Sequence, residues 1–211
     1  MSLTLYIGDK NLSSWSLRPW LVLKQSGIPF TEKLIRFGRP ETRSEMLAVS
    51  PTGLVPCLID GETTVPDSLA IGEYLADSFP EKGLWPADKA ARAEARAISA
   101  EMHSGFSNLR AVWPMNFSRR DMRHIRPDAV RADIARIAQL WTGARERFGA
   151  GGPFLYGRFS IADAMYAPVV SRFMTYGPVE LSRPAAEWRD MMFALPAMRE
   201  WGEGAAKETA A

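Results

Sequence analysis

The chain has 211 residues, 46% hydrophobic and 24% charged, and its 26 basic side chains nearly balance 24 acidic ones for a net charge of +2. That balance gives no reason to expect nucleic acid or an anionic membrane as a partner, and the apolar fraction suits a folded chain with a core. The single cysteine, Cys57, excludes an internal disulfide, a CxxC redox pair and a cysteine-rich zinc site, and is compatible with a reducing, cytoplasmic setting. No run of about 18 apolar residues occurs and the first residues lack a signal-peptide pattern, so no membrane segment is predicted.

In chain order, residues 3–8 are rich in strand formers and predict a first strand. Residues 9–14 are polar and loop-like, and their serines can cap a following helix. From 15 to 26 the apolar residues Leu17, Trp20, Leu21 and Leu23 recur at helical spacing until Gly27 stops the run. Residues 28–36 alternate as a second strand. Strand, helix and strand make a βαβ unit with a parallel pair.

A second helix is expected within 43–48, followed by a turn-rich segment at 50–56. Residues 57–60 and 63–65 flank Asp60-Gly61, a hairpin signal. Asp67 and Ser68 then open a helix that runs to Phe79. The first part of the chain therefore reads βαβ-ββα, an α/β domain over 1–79 with a mixed four-stranded sheet.

Residues 80–88 hold two prolines and a glycine in the surrounding stretch and read as a linker. Beyond it, over 89–211, the pattern is helical throughout and predicts an all-α bundle. One long helix is expected from Lys89 to about Met115, and another over 127–148, with Ile134, Ile137, Leu140, Trp141 and Phe148 near one face. Helices are also expected over 160–173 and 182–195. A short last helix begins at Pro196, with a frayed tail from Gly202.

Four local motifs stand in this order. They are Ser13-Ser14-Trp15-Ser16-Leu17-Arg18, Val55-Pro56, Asp67-Ser68-Leu69-Ala70-Ile71 with Glu73-Tyr74-Leu75, and Ser160-Ile161-Ala162-Asp163. Together, and over essentially the whole chain, they resemble the glutathione S-transferase family, in particular its serine-type, zeta-like and bacterial members. The resemblance implies a thioredoxin-like N-terminal domain and a helical domain that supplies an electrophile pocket.

It further implies glutathione as co-substrate, no metal, a small-molecule electrophile, a two-fold homodimer and a detoxification or related role. Ser13, with Ser14 as the next candidate, falls at the family's thiolate-stabilising serine. A helix N-terminus offers unpaired N–H groups and a positive dipole end there, which favour an anion. Without the resemblance, both serines read as helix caps. Trp15 departs from the zeta pattern, which has cysteine at that place.

Val55 and Pro56 match the family's Val-(cis-Pro) pair, which pairs with the cysteinyl backbone of glutathione as an added strand does. Asp67 and Ser68 match the grip on the γ-glutamyl group. Arg39, Arg43 and Lys33 are open candidates for its glycine carboxylate. Trp15, Met102, Phe106, Arg110 and Trp113 are candidates for the electrophile pocket, with core packing as the plain reading of each. Cys57 is expected to be buried and inert, and Ser160 with Asp163 to form a structural capping box. A zeta-like maleylacetoacetate isomerase and a non-catalytic binding module are the rival readings, because fold does not fix function.

Overall fold

The computed structural model describes residues 3–120, 122 and 128–210. Strand β1 (Leu3–Ile7) leads into helix α1 (Ser14–Ser26) and then strand β2 (Phe30–Leu34), which lies parallel to β1. Helix α2 (Thr42–Val49) follows. Strands β3 (Cys57–Asp60) and β4 (Thr63–Pro66) form a hairpin whose turn residue Gly61 has φ 57, a conformation that favours glycine. The sheet order is β2-β1-β3-β4, with β3 antiparallel to both of its neighbours. Helix α3 (Ser68–Ser78) completes the α/β part, and a 3₁₀ turn at Pro80–Lys82 leads out of it.

Among the described residues six α-helices follow: α4 (Lys89–Ser104), α5 (Ser107–Val112), α6 (Asp128–Phe148), α7 (Ile161–Tyr176), α8 (Arg183–Phe193) and α9 (Pro196–Ala210). The expected start of the second long helix at Pro127 lies outside the described residues. Helix α7 is the central one. All but one of its residues, Met174, are buried, and it packs beside α1 and α4. One apolar cluster therefore runs through both halves, from Leu5, Leu17 and Trp20 to Trp141, Tyr166 and Trp188.

Two expectations are corrected. The long helix from Lys89 breaks at Gly105 and Phe106. Phe106 adopts a left-handed conformation at φ 54, and a Cβ on Gly105 would lie 2.7 Å from the Glu101 carbonyl oxygen. The restarted turn is secured from another helix, because Asp133 accepts the Leu109 N–H at 2.8 Å. The tail from Gly202 is not frayed either; α9 continues to Ala210. Its Trp201 is fully buried and donates Nε1–H to the Lys10 carbonyl at 2.7 Å, while Glu208 accepts the Asn11 N–H at 3.1 Å. Gly202 lets the helix approach the ring of Phe117, 2.9 Å from where a Cβ would sit.

The capping box forms as expected at the start of α7. The Asp163 carboxylate is fully buried and accepts from Ser160 N–H, Ser160 Oγ–H, Leu155 N–H and Trp188 Nε1–H, all at 2.9–3.0 Å. Four donors on one buried carboxylate meet the requirement that a buried charge be hydrogen-bonded.

Candidate functional site

The loop between β1 and α1 is fixed from three sides. The Asp9 carbonyl accepts the N–H groups of Leu12 and Ser13, and its carboxylate accepts from Arg36 at 2.9 Å and Phe37 N–H at 2.6 Å. Asn11 accepts from Ser118 N–H at 2.9 Å, tying the loop to the helical half. Ser13 is the N-cap of α1. Its Oγ accepts the Ser16 N–H at 3.4 Å and donates to Ser16 Oγ at 2.7 Å, and Ser16 Oγ in turn accepts the Gly8 N–H at 3.0 Å. Ser13 and Ser14 are both largely buried, and both line a cavity of about 640 Å³.

A second cavity, of about 450 Å³, adjoins the first. It is lined by Trp15, Leu54, Val55, Pro56, Asp67, Ser68 and His103, with Thr52 beside them. Trp15, Leu54 and Val55 belong to both cavities, so the two chambers share a wall. The Val55–Pro56 bond is cis.

At the far end of the smaller chamber, Asp67 caps α3. Its Oδ1 accepts the N–H groups of Leu69 at 2.8 Å and Ala70 at 3.2 Å, and its Oδ2 meets His103 Nε2 at 2.7 Å. Burial raises the Asp67 carboxyl pKa, but the hydrogen bonds from His103, Ala70 and Leu69 outweigh that and hold it below the usual carboxylate value. Asp67 has φ 79, a strained conformation for a residue with a Cβ. Ser68 is 2% exposed and lines the chamber, and its Oγ has no hydrogen-bond partner among the described residues.

The larger chamber carries two guanidinium groups, Arg110 and Arg172. Arg172 donates Nε–H to the Trp113 carbonyl at 2.7 Å and Nη1–H to the Pro168 carbonyl at 3.2 Å. Burial, with Arg110 nearby, brings its pKa down to about 10. Arg18 lies behind the Trp15 ring, its guanidinium carbon 4.0 Å from the ring centre, and Arg110 is 5.3 Å from the same ring.

The candidates from sequence divide accordingly. Ser13, Ser14, Trp15, Val55 and Arg110 line the larger chamber; Trp15, Val55, Pro56, Asp67 and Ser68 line the smaller. Met102 and Phe106 are core residues instead, and Trp113 lines a separate cavity with Ile134 and Val179. Arg39 pairs with Glu45, Arg43 donates to the Gly53 carbonyl and Lys33 to the Tyr6 hydroxyl. None of the three lines either chamber.

Cys57 is buried and donates to the Val49 carbonyl at 3.3 Å, and burial pushes its thiol pKa up, away from the reactive thiolate. Sequence reasoning missed Arg172 as a site residue. The available signal was an arginine inside an otherwise apolar helix, which has to find either carbonyl partners or a ligand. His103, which lines the smaller chamber, is not among the sequence candidates; the other histidine, His124, lies outside the described residues.

A mixed four-stranded sheet with a cis-proline, followed by a helical bundle and carrying two adjoining chambers, defines a thioredoxin-like domain joined to an all-α domain. The sequence pattern of the glutathione S-transferase N-terminal domain matches residues 12–78, and that of the glutathione S-transferase C-terminal domain matches residues 127–201. This chain belongs to the glutathione S-transferase family.

A probable maleylacetoacetate isomerase of Caenorhabditis elegans is 33% identical over 105 residues, which are 50% of this chain and 48% of that one. A zeta-class glutathione S-transferase of Euphorbia esula is 28% identical over 155 residues, 73% of this chain and 66% of that one. The chain thus spans about half to two thirds of the length of these curated relatives. A glutathione transferase homolog from Burkholderia, solved with bound glutathione, shares the fold with a TM-score of 0.71 at 22% identity, over 98% of this chain and 99% of that one.

Proposed function

We propose that this protein is a glutathione-dependent transferase that activates the glutathione thiol with a serine hydroxyl and joins it to a small electrophile. The γ-glutamyl group takes the smaller chamber, with its carboxylate on Ser68 and its ammonium facing Asp67. The cysteinyl backbone runs along Val55 and Pro56, and the sulfur reaches Ser13, with Ser14 as the second hydroxyl nearby. The observation that carries the reading is the buried Ser68 hydroxyl, which lacks a partner among the described residues, on a residue that lines the chamber at the N-terminus of α3. A buried hydroxyl without a partner costs about 1–3 kcal/mol, which a carboxylate ligand offsets.

Thiol pKa is about 8.5 in water, so little thiolate exists at neutral pH. A hydroxyl donor at a helix N-terminus favours the thiolate, as at cysteines so placed. Ser13 stabilises the anion and takes no covalent part. The S–H proton leaves to water and the sulfur lone pair forms the S–C bond. The displaced electron pair leaves with a leaving group, or ends on a carbon that takes a proton from water. An isomerase working through a transient adduct, as the name of the Caenorhabditis relative suggests, starts from the same thiolate.

A homodimer and a cytoplasmic setting accompany this reading. The buried, protonated Cys57 agrees with a reducing compartment, and no described helix is long and apolar enough to cross a membrane.

The test is calorimetry with glutathione on wild type, Ser13→Ala and Ser68→Ala, with thiolate absorbance followed against pH. Binding by wild type, weaker binding by Ser68→Ala, and a raised thiol pKa in Ser13→Ala support the reading. A wild-type protein that does not bind glutathione overturns it in favour of a non-catalytic binding module.

A further inference from the structure

A serine hydroxyl has one proton, and that of Ser13 is already in use. Ser13 Oγ donates to Ser16 Oγ at 2.7 Å, within the first turn of α1. A hydrogen bond from Ser13 to a glutathione thiolate needs the same proton. The Ser13 oxygen accepts only the Ser16 N–H among the described residues, at a long 3.4 Å, so it has acceptor capacity to spare.

Ser16 is fully buried and lines neither chamber, so it cannot touch the ligand itself. Its Oγ receives two donors, the Ser13 hydroxyl and the Gly8 N–H, the latter at 3.0 Å. Gly8 follows the last residue of β1 and packs under the ring of Phe37, which lies 2.1 Å from where a Cβ on Gly8 would sit. The bond from Gly8 gives the Ser16 oxygen a structural use, but it leaves the Ser16 proton unspent. That proton has no acceptor among the described residues while Ser13 is the donor of the pair. If the pair turns over, the Ser16 O–H takes Ser13 Oγ as its acceptor and the Ser13 O–H is released toward the chamber.

We infer that Ser16 is a positioning residue for thiol activation, giving its hydroxyl hydrogen bond to Ser13 so that Ser13 can give its own to the glutathione sulfur. The inference rests on the transferase reading, which supplies the thiolate that Ser13 meets. The donors then run in one direction: Gly8 N–H to Ser16 Oγ, Ser16 O–H to Ser13 Oγ, Ser13 O–H to sulfur. No proton changes hands along this chain; the thiol proton leaves to water and only the direction of one hydrogen bond reverses. Each donor polarises the next, so the Ser13 hydroxyl becomes a stronger donor than it would be alone.

The test uses the full chain with two probes, glutathione and S-methylglutathione, which has no thiol to ionise. Calorimetry reads affinity, and thiolate absorbance against pH reads the pKa of the bound thiol. In Ser16→Ala the thiolate fraction at neutral pH is expected to fall at least about threefold, as loss of one supporting hydrogen bond does, while S-methylglutathione binds within about twofold of wild type. Ser16→Thr, which keeps the hydroxyl, is expected to restore the thiol pKa. Thermal unfolding confirms that the variants are folded. Ser16→Cys, close in shape but a weak donor, carries the same expectation if the alanine variant does not fold, read as the difference between bound and free protein. Adding Ser16→Ala to Ser13→Ala should lower the thiolate fraction no further.

An unchanged thiol pKa in Ser16→Ala, with Ser13→Ala raising it, overturns this inference and leaves the transferase reading standing. An equal loss of affinity for S-methylglutathione overturns it as well, because Ser16 then only holds the loop. A folded Ser16→Thr variant with a raised thiol pKa overturns the assignment to the hydroxyl, and additive effects in the double variant overturn the route through Ser13. A wild-type protein that does not bind glutathione removes the transferase reading and this inference with it.

Discussion

Asp67 and His103 meet at 2.7 Å between Oδ2 and Nε2, joining the cap of α3 in the sheet domain to the last turn of α4 in the helical half. The contact holds the Asp67 carboxyl pKa down against the upward push of its burial. An acid with a depressed folded pKa contributes stability that is present above its unfolded value of about 3.9 and is lost as pH falls through the folded value. Removing His103 should therefore raise the Asp67 pKa toward its unfolded value, so the stability this carboxylate contributes near neutral pH shrinks and less is lost on acidification. Carboxyl-carbon NMR titration of His103→Ala reads this directly; an unchanged Asp67 titration would show that the pair is not coupled.

Asp67 also carries backbone strain at φ 79, and two substitutions separate strain from capping. Glycine removes the strain, while alanine keeps it and loses the side-chain cap. Asp67→Gly should be more stable than Asp67→Ala by about 1–3 kcal/mol, the usual cost of such a conformation. Both should bind glutathione more weakly than wild type, because the carboxylate proposed to face the ammonium is gone. Chemical denaturation and calorimetry on the pair are the measurements, and equal stability of the two variants would sink the strain argument.

Ser68→Ala is expected to act in opposite directions on stability and binding. Its hydroxyl is buried without a partner among the described residues, so deleting it should leave stability unchanged or raise it by up to about 1 kcal/mol. The same deletion should weaken glutathione binding about tenfold or more, as the loss of a hydrogen bond to a charged group does. A variant that is less stable yet binds normally would mean that the hydroxyl has a structural role.

Much of this site was legible in the chain. The hairpin at Asp60-Gly61, the cap-forming residues before α1 and α3, and the Ser160–Asp163 box all rest on local chemistry, and local chemistry is what a sequence displays. The break at Gly105 and Phe106 was not legible, because the Ala- and Arg-rich run before it favours helix and the Asp133 contact that secures the restart comes from another element. Arg172 was hidden for a related reason. Helix α7 is buried on nearly every side, so it has no polar stripe to point at a pocket. Met102 has the right spacing for the chamber but faces the core, and spacing alone gives no rotation of a helix about its axis.

The last helix links the far end of the chain to Ser13. Trp201 Nε1 donates to the Lys10 carbonyl, and the Lys10 ammonium lies against the rings of both Trp20 and Trp201 and pairs with Glu32 at 2.7 Å. Glu208 holds the next N–H along, that of Asn11. Residues 9–13 are therefore positioned partly by α9, and Ser13 ends that loop. Trp201→Phe keeps most of the apolar volume but removes the donor to the part-buried Lys10 carbonyl, which should cost about 1 kcal/mol. The looser loop should also aim the Ser13 hydroxyl less well, so the pKa of bound glutathione thiol should rise, by less than in Ser13→Ala. Thiolate absorbance against pH for the two single variants and the double variant tests the connection. Effects that simply add in the double variant would mean that Trp201 acts independently of Ser13; a double variant no worse than Ser13→Ala would show that Trp201 works through it.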